Sequence, residues 1–353
     1  MAEINQIYPS MQNDENQAPT SNSRMGFLCC GANDAINTDS ALDFTNSPDA
    51  DFHADSLIKL THGVTAYRII EPKNINSSSL ETVPIIVCLH SLLGSSYMWA
   101  DIADLLSDFE QGPQARVLVF DFYGRGRSPW TGVDITLDTL VTQTKELMDV
   151  LNLTRPSRPA AFVGYDMGGA VAAGFAAKYP NLCASLSLVS PLGIKCRPLK
   201  KEGWLNSKYF GEYLMLQRRH TIHLDQEADF YDKTPDSAHH YLIDRQTAMV
   251  QWQVLHTPGY LGAVLSTYRN FPMRSMDELF TAIGRHPRPT LSVWGDRDVI
   301  CTYKKCIRVT EESFPKGIIV DIADCGHNVP FEKFEDLVKE LLTFHKDVFD
   351  SMK

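Results

Sequence analysis

Ala160-Ala161-Phe162-Val163-Gly164-Tyr165-Asp166-Met167-Gly168-Gly169-Ala170 is the stretch whose reading decides the fold. Four apolar residues in a row, Ala160 to Val163, have the composition of a buried strand. Ala170 to Tyr179 is rich in small residues and reads as a helix packed closely on a sheet. Between them Gly164, Gly168 and Gly169 carry no Cβ where the turn is strained and where strand and helix touch. Strand, tight turn and helix in that order form an elbow, which lifts its central side chain clear of the sheet. That side chain is Asp166. The function is expected to turn on it.

Working outward, Thr65 to Ile70 alternates as an early strand should. Pro84 to Leu89 and Val117 to Phe120 are continuous apolar runs, typical of strands buried on both faces of a parallel sheet. A helix is predicted from Thr136 to Leu151, and a further strand from Leu186 to Val189. After Ser190-Pro191 the buried-strand runs stop, and residues 192–285 are polar, aromatic and mostly helical in period. Strands resume at Thr290 to Trp294 and Ile318 to Asp321, followed by a helix from Phe331 to Phe344. The pattern predicts an α/β fold with a mostly parallel sheet and helices on both faces. Residues 59–191 and 286–353 form its core, and residues 192–285 form a helical cap inserted after the sixth strand. Such a cap covers the C-terminal edge of the strands, where open α/β sheets bind ligands.

The chain has 353 residues, of which 44% are hydrophobic and 22% charged, as in ordinary globular proteins. A net charge of −10 argues against a nucleic-acid surface, which needs clustered Lys and Arg. No apolar run is long enough to span a bilayer, and the polar, acidic N-terminal region does not have the pattern of a secretory signal. Residues 1–58, rich in Asn, Ser, Asp and Gln, read as a disordered tail. Within it, Met25-Gly26-Phe27-Leu28-Cys29-Cys30 is similar to a lipidation signal. Acyl chains on Cys29 and Cys30 would give weak membrane association; the plainer alternative is a small apolar patch. The eight cysteines are scattered without CxxC pairs, which predicts reduced thiols in a cytoplasmic protein. With no glycine-rich phosphate loop and no metal-ligand cluster in the sequence, no cofactor and no metal are expected.

Five stretches then occur in a telling order. They are His90-Ser91-Leu92-Leu93-Gly94-Ser95-Ser96, Asp121-Phe122-Tyr123-Gly124-Arg125-Gly126-Arg127-Ser128, the elbow, Gly295-Asp296-Arg297-Asp298, and Cys325-Gly326-His327-Asn328. Over residues 60–348 the chain resembles an α/β-hydrolase with a helical cap. The resemblance implies a triad of Asp166 as nucleophile, Asp298 as acid and His327 as base. Asp298 is preferred to Asp296 because it ends the Gly-x-x-Asp run, and to Asp324 because a triad acid comes from a separate loop. His90 is expected to be a structural hydrogen-bonder. The implied oxyanion donors are the backbone N–H groups of Leu92 and Met167.

An aspartate at the elbow resembles the epoxide hydrolases and haloalkane dehalogenases. A carboxylate is ionised at neutral pH, so it attacks saturated carbon without activation and forms an ester that a histidine-activated water cleaves. Met167 stands where dehalogenases carry a halide-binding Trp, which favours opening of a small apolar epoxide. Tyr268-Arg269-Asn270 resembles the second of two cap tyrosine sites that donate protons in epoxide hydrolases. The first is left open among Tyr209, Tyr213, Tyr231 and Tyr241. Leu92 to Ser96, Met167-Gly168-Gly169 and Tyr179-Pro180 are instead similar to serine esterases and lipases. The alternative reading is therefore a Ser-to-Asp descendant acting as a ligand-binding or regulatory pseudoenzyme. Ser91 occupies a place where glycine is usual, and its Cβ is expected to tilt the Leu92 N–H away from the site.

Overall fold

Eight strands form one sheet in the order β1-β2-β4-β3-β5-β6-β7-β8. They are β1 Ser56–Leu60, β2 Gly63–Ile70, β3 Ile85–Leu89, β4 Arg116–Phe120, β5 Ala160–Tyr165, β6 Cys183–Val189, β7 Thr290–Gly295 and β8 Ile318–Ile322. The computed structural model describes residues 56–73, 82–108, 114–194, 202–207, 209–232, 240–274 and 276–352. The tail up to residue 55, with Cys29 and Cys30, lies outside the described residues. β1 starts at Ser56, inside the stretch read from sequence as tail, and pairs antiparallel with β2. β2 is antiparallel to β4, and every later pairing is parallel.

The continuous apolar runs fall where a strand has helices on both sides. All residues of β3, β5 and β7 are buried. Successive side chains feed opposite layers. Val87 and Phe162 join the core on one face, with Phe175 and Trp294. Ile86 and Val163 join the other, with Trp99 and Phe349. β8, at the edge, is only partly covered.

Among the described residues, three α-helices precede the insertion: α1 Ala100–Ser107, α2 Leu137–Val150 and α3 Met167–Lys178. α2 is capped by the Thr136 side chain, which accepts from Thr139 N at 3.0 Å. α3 begins at Met167, three residues earlier than the sequence suggests, and only Lys178 escapes burial. Its Ala and Gly content permits this closeness; a Cβ on Gly168 would lie 2.1 Å from Leu89 O.

Between β6 and β7 come α4 Glu202–Leu205, α5 Phe210–Gln217, α6 Ile222–Ala228, α7 His240–His256, α8 Tyr260–Asn270 and α9 Asp277–Gly284. Here the chain departs from the sheet after its sixth strand, as read from sequence. α7 and α8 are fastened to loops at the C-terminal ends of the central strands. Gln253 Nε2 donates to Leu93 O at 3.0 Å, and its Oε1 accepts from Gly126 N at 2.7 Å. Tyr260 donates its hydroxyl to Leu93 O at 3.0 Å. α9 packs instead on α3 and on α10, Tyr303–Ser313. The predicted terminal helix is split into α11, Val329–Glu332, and α12, Phe334–Ser351, by a break at Lys333. No helix among the described residues is long and apolar enough to cross a membrane.

Candidate active site

Asp166 sits at φ 55° and ψ −119°, a conformation that L-residues rarely adopt. The surrounding backbone holds it there. Asp166 N donates to Val189 O at 3.0 Å, and Asp166 O accepts from Gly169 N at 3.1 Å and Leu192 N at 3.0 Å. The buried carboxylate is held differently at its two oxygens. Oδ2 accepts from Leu92 N at 2.8 Å, whereas Oδ1 faces His327 Nε2 at 3.3 Å.

The expectation that Ser91 tilts the Leu92 N–H away is thus corrected. Room for its side chain comes from Gly94, where a Cβ would lie 2.6 Å from Ser91 Oγ. The loop's carbonyls are also tied down from outside. Arg125 Nε donates to Leu92 O at 2.7 Å, and Gln253 and Tyr260 share Leu93 O. Arg125 is wholly buried and donates as well to Thr267 Oγ1 at 3.0 Å. Burial draws its guanidinium down to about 10, which leaves it charged at neutral pH. His90 Nδ1 lies 2.8 Å from Ser91 O, and its Nε2 accepts from Phe122 N at 2.9 Å. Burial holds it neutral, with its pKa lowered to about 3, so it braces the loop and does not act as a base.

Asp298 and His327 come from the turns after β7 and β8. His327 Nδ1 lies 2.7 Å from Asp298 Oδ2, while Asp298 Oδ1 accepts from Ile300 N and Cys301 N at 2.8 and 2.9 Å. Asp296 Oδ1 accepts from Cys325 N at 3.3 Å, a backbone group of the loop that carries His327. Asp324 is exposed and pairs with Arg297. Burial disfavours the His327 imidazolium, but the Asp298 charge and the hydrogen bonds to Asp166 and Asp298 outweigh it. The result is a pKa well above 6.5. That shift favours the imidazolium form of His327, which lies between Asp298 and Asp166.

The histidine loop has supports that sequence reasoning missed. Glu332 Oε2 accepts from Gly326 N at 3.1 Å and, across the insertion, from Tyr231 N at 3.1 Å. Asn328 Oδ1 accepts from Tyr165 Oη and Gln226 Nε2, both at 2.8 Å. The available signal is a glutamate closing the apolar turn Val329-Pro330-Phe331. For Arg125 it is an arginine inside a glycine-flanked motif.

Tyr268 is half-buried on α8. Burial first, and then the Asp166 charge, raises its pKa against the opposing charges of Arg218 and Arg125; the phenol stays protonated at neutral pH. Tyr209, Tyr213, Tyr231 and Tyr241 are all exposed, so none of the four supplies a second buried phenol. Met167 N–H opens α3, and the Asp166 side chain makes no cap bond to that helix. Asp298, Cys301 and His327 bring possible metal-ligand atoms within 4.8 Å of one another. The two charged members of that group already bond each other, and Cys301 Sγ donates to Pro191 O at 3.6 Å. A cleft of about 430 Å³ between α5 and α8 is lined by Met215, Leu216, Leu261, Leu265 and Arg269. It occupies the side of α8 opposite Tyr260 and Thr267, the residues that bond Leu93 O and Arg125.

A family model of the alpha/beta hydrolase fold matches residues 84–219. Lipase 3 of Moraxella sp. is 23% identical over 273 residues, which covers 73% of this chain and 76% of that protein. A putative 2-succinyl-6-hydroxy-2,4-cyclohexadiene-1-carboxylate synthase of Bacillus subtilis is 27% identical over 133 residues, or 37% of this chain. The match takes in 45% of that relative, less than half its length. A malate-bound esterase from Thermogutta terrifontis superposes with a TM-score of 0.65 at 20% identity, covering 83% of this chain and 99% of that one. At that identity the likeness shows the fold.

Proposed function

We propose that this chain, a member of the α/β-hydrolase fold superfamily, is a hydrolase whose nucleophile is Asp166 and whose substrate is a small apolar epoxide. The observation that carries the reading is the asymmetry of the Asp166 carboxylate. Its Oδ2 already rests on a backbone donor, and its Oδ1 is left as the attacking atom. Oδ1 attacks a ring carbon, the epoxide C–O bond breaks, and the alkoxide takes the Tyr268 phenolic proton. Alkylation removes the Asp166 charge and with it part of what raises the His327 pKa. The proton His327 then releases balances the one the phenol gave up. Neutral His327, oriented by Asp298, deprotonates a water that attacks the Asp166 carboxyl carbon. Oδ2 takes the negative charge against Leu92 N–H, and collapse breaks the ester C–O bond. The leaving alkoxide takes back the proton that His327 drew from water, which gives the diol. The new Asp166 carboxyl passes its proton to His327, which restores the carboxylate and the imidazolium.

The test is single-turnover hydrolysis of an epoxide in ¹⁸O-labelled water, followed by mass spectrometry of the Asp166 peptide. Label in that peptide is the expected result. Turnover that leaves the peptide unlabelled would remove Asp166 as nucleophile.

A second reading is supported by the likeness to a lipase and an esterase and by the exposure of the four other insertion tyrosines. On that reading the chain is a Ser-to-Asp descendant of a serine esterase that binds ligand without turnover. An Asp166→Ser variant that hydrolyses an activated ester, beside a wild type inert toward epoxides, would favour it.

A further inference from the structure

His327 is carried by a loop, so the aim of its ring depends on how the residues beside it are held. Both neighbours are tied to one short arm of the insertion, residues 226–232, made of the last turn of α6 and the chain after it. Asn328, which follows His327, accepts at Oδ1 from Gln226 Nε2 and from Tyr165 Oη, both at 2.8 Å. Those two donors use both lone pairs of the oxygen. Gly326, which precedes His327, donates its N–H to Glu332 Oε2 at 3.1 Å. The same oxygen accepts from Tyr231 N at 3.1 Å and Asp232 N at 3.3 Å. Beside these two junctions the buried rings of Phe230 and Phe331 lie 6.0 Å apart. The arm leaves little slack at the glycine, where a Cβ would stand 3.0 Å from Tyr231 Cβ.

The arm also reaches the turn of the triad acid. Arg297, one residue before Asp298, holds its guanidinium 5.9 Å from the centre of the Tyr231 ring. The oxyanion loop is gripped by other parts of the insertion. Gln253 of α7 and Tyr260 of α8 bond Leu93 O, and Thr267 of α8 accepts from the Arg125 that bonds Leu92 O. Two sides of the site thus hang from different helices: the oxyanion donor from α7 and α8, the base from α6.

We propose that the arm formed by residues 226–232 positions the His327 imidazole, through Asn328 on one side and Glu332 on the other, and thereby sets the rate of the step that needs a base. Gln226 and Glu332 act on His327 through its neighbours and are positioning residues. The bearing on catalysis rests on the reading of His327 as the base that activates water against the Asp166 ester. On that reading the first step is attack by a carboxylate already ionised, which the arm does not touch. The second step moves a proton between aligned atoms, and a small misplacement of the ring slows it.

The test uses the full chain with Gln226→Met, Glu332→Ala or Glu332→Gln. Methionine keeps the volume of Gln226 and removes the donor to Asn328, so it carries the test even if Glu332→Ala fails to fold. Glutamine keeps an acceptor for the Gly326 and Tyr231 amides, and alanine does not. In single turnover of an epoxide, Gln226→Met and Glu332→Ala should form the Asp166 adduct within about twofold of the wild-type rate. They should cleave it about tenfold or more slowly, and Glu332→Gln should recover most of that loss. Equal slowing of both steps, or cleavage at the wild-type rate, overturns the positioning role. A second readout needs no turnover. The proton in the 2.7 Å bond between His327 Nδ1 and Asp298 Oδ2 should give a downfield NMR signal that shifts or broadens in Gln226→Met and Glu332→Ala and stays in place in Glu332→Gln. A wild type that forms no adduct would remove the Asp166 chemistry, and this signal would then decide alone. If it stays unmoved in every variant, the arm does not position His327.

Discussion

The amide of Leu92 donates to Asp166 Oδ2 at 2.8 Å, so the resting carboxylate already sits where a tetrahedral oxyanion would need its donor. Asp166→Asn can keep a carbonyl oxygen on that amide and therefore keep the fold. It removes the negative charge and, on the proposed mechanism, the nucleophile. Turnover should fall by about 10³-fold or more, with the thermal transition within a few degrees of wild type. An Asp166→Asn variant retaining a tenth of the rate would mean that the carboxylate does not attack.

The pH dependence follows from His327, whose folded-state pKa is raised above 6.5. A raised histidine contributes stability in full below its unfolded value, and that contribution is lost as pH rises through the folded value. Thermal unfolding should therefore show a stability loss that begins above pH 6.5, on the alkaline side. His327→Gln should flatten that part of the curve. A variant whose alkaline profile overlays that of the wild type would contradict the assignment of the imidazolium.

The same His327→Gln substitution separates the two chemical steps. Alkylation of Asp166 needs no base, but cleavage of the ester does. The variant should therefore accumulate an adduct, seen as a mass increase of one substrate on the Asp166 peptide. A free peptide after prolonged incubation with an epoxide that the wild type turns over would place His327 in the first step instead.

The elbow and the central strands were legible because burial on both sheet faces leaves a short continuous apolar run, which its length and the glycines and prolines beside it mark as strand. Asp298 and His327 were legible because each follows a strand in a short motif. The supports of the site were not. Gln253, Asn328 and Glu332 are polar residues buried by partners about 100 or more positions away or across a loop, and no local pattern announces such a partner. Ser91 misled for a related reason. Its effect on Leu92 depends on the space left by Gly94, a pairing that sequence reading has no means of weighing.

That pairing is itself testable. A Cβ at Gly94 would stand 2.6 Å from Ser91 Oγ, so Gly94→Ala requires either the Ser91 hydroxyl to turn away or the loop after β3 to shift, and the prediction is that the loop shifts. Overpacking of this kind costs about 1–3 kcal/mol, and here it should also cost activity by moving the Leu92 amide. Adding Ser91→Gly removes the obstructing hydroxyl and should recover most of both losses. Additive effects in this double-mutant cycle, measured by denaturant unfolding, would show that the two residues do not compete for the same space.

Arg125 provides the sharpest test of how the insertion holds the oxyanion loop. Its guanidinium spans from Leu92 O at 2.7 Å to Thr267 Oγ1 at 3.0 Å, so one side chain links the loop after β3 to α8. Arg125→Met keeps the apolar stem and removes every donor, leaving buried carbonyl oxygen without its charged partner. Hydrogen bonds to charged groups contribute about 1.5–3 kcal/mol each, so a loss within or above that range is expected in unfolding experiments. Lysine restores charge but not the planar fork that reaches both acceptors. Arg125→Lys should therefore recover stability better than it recovers kcat, because the Leu92 amide remains loosely aimed. Recovery of both in equal measure would mean that charge alone, and not the geometry of the bridge, sets the position of the loop.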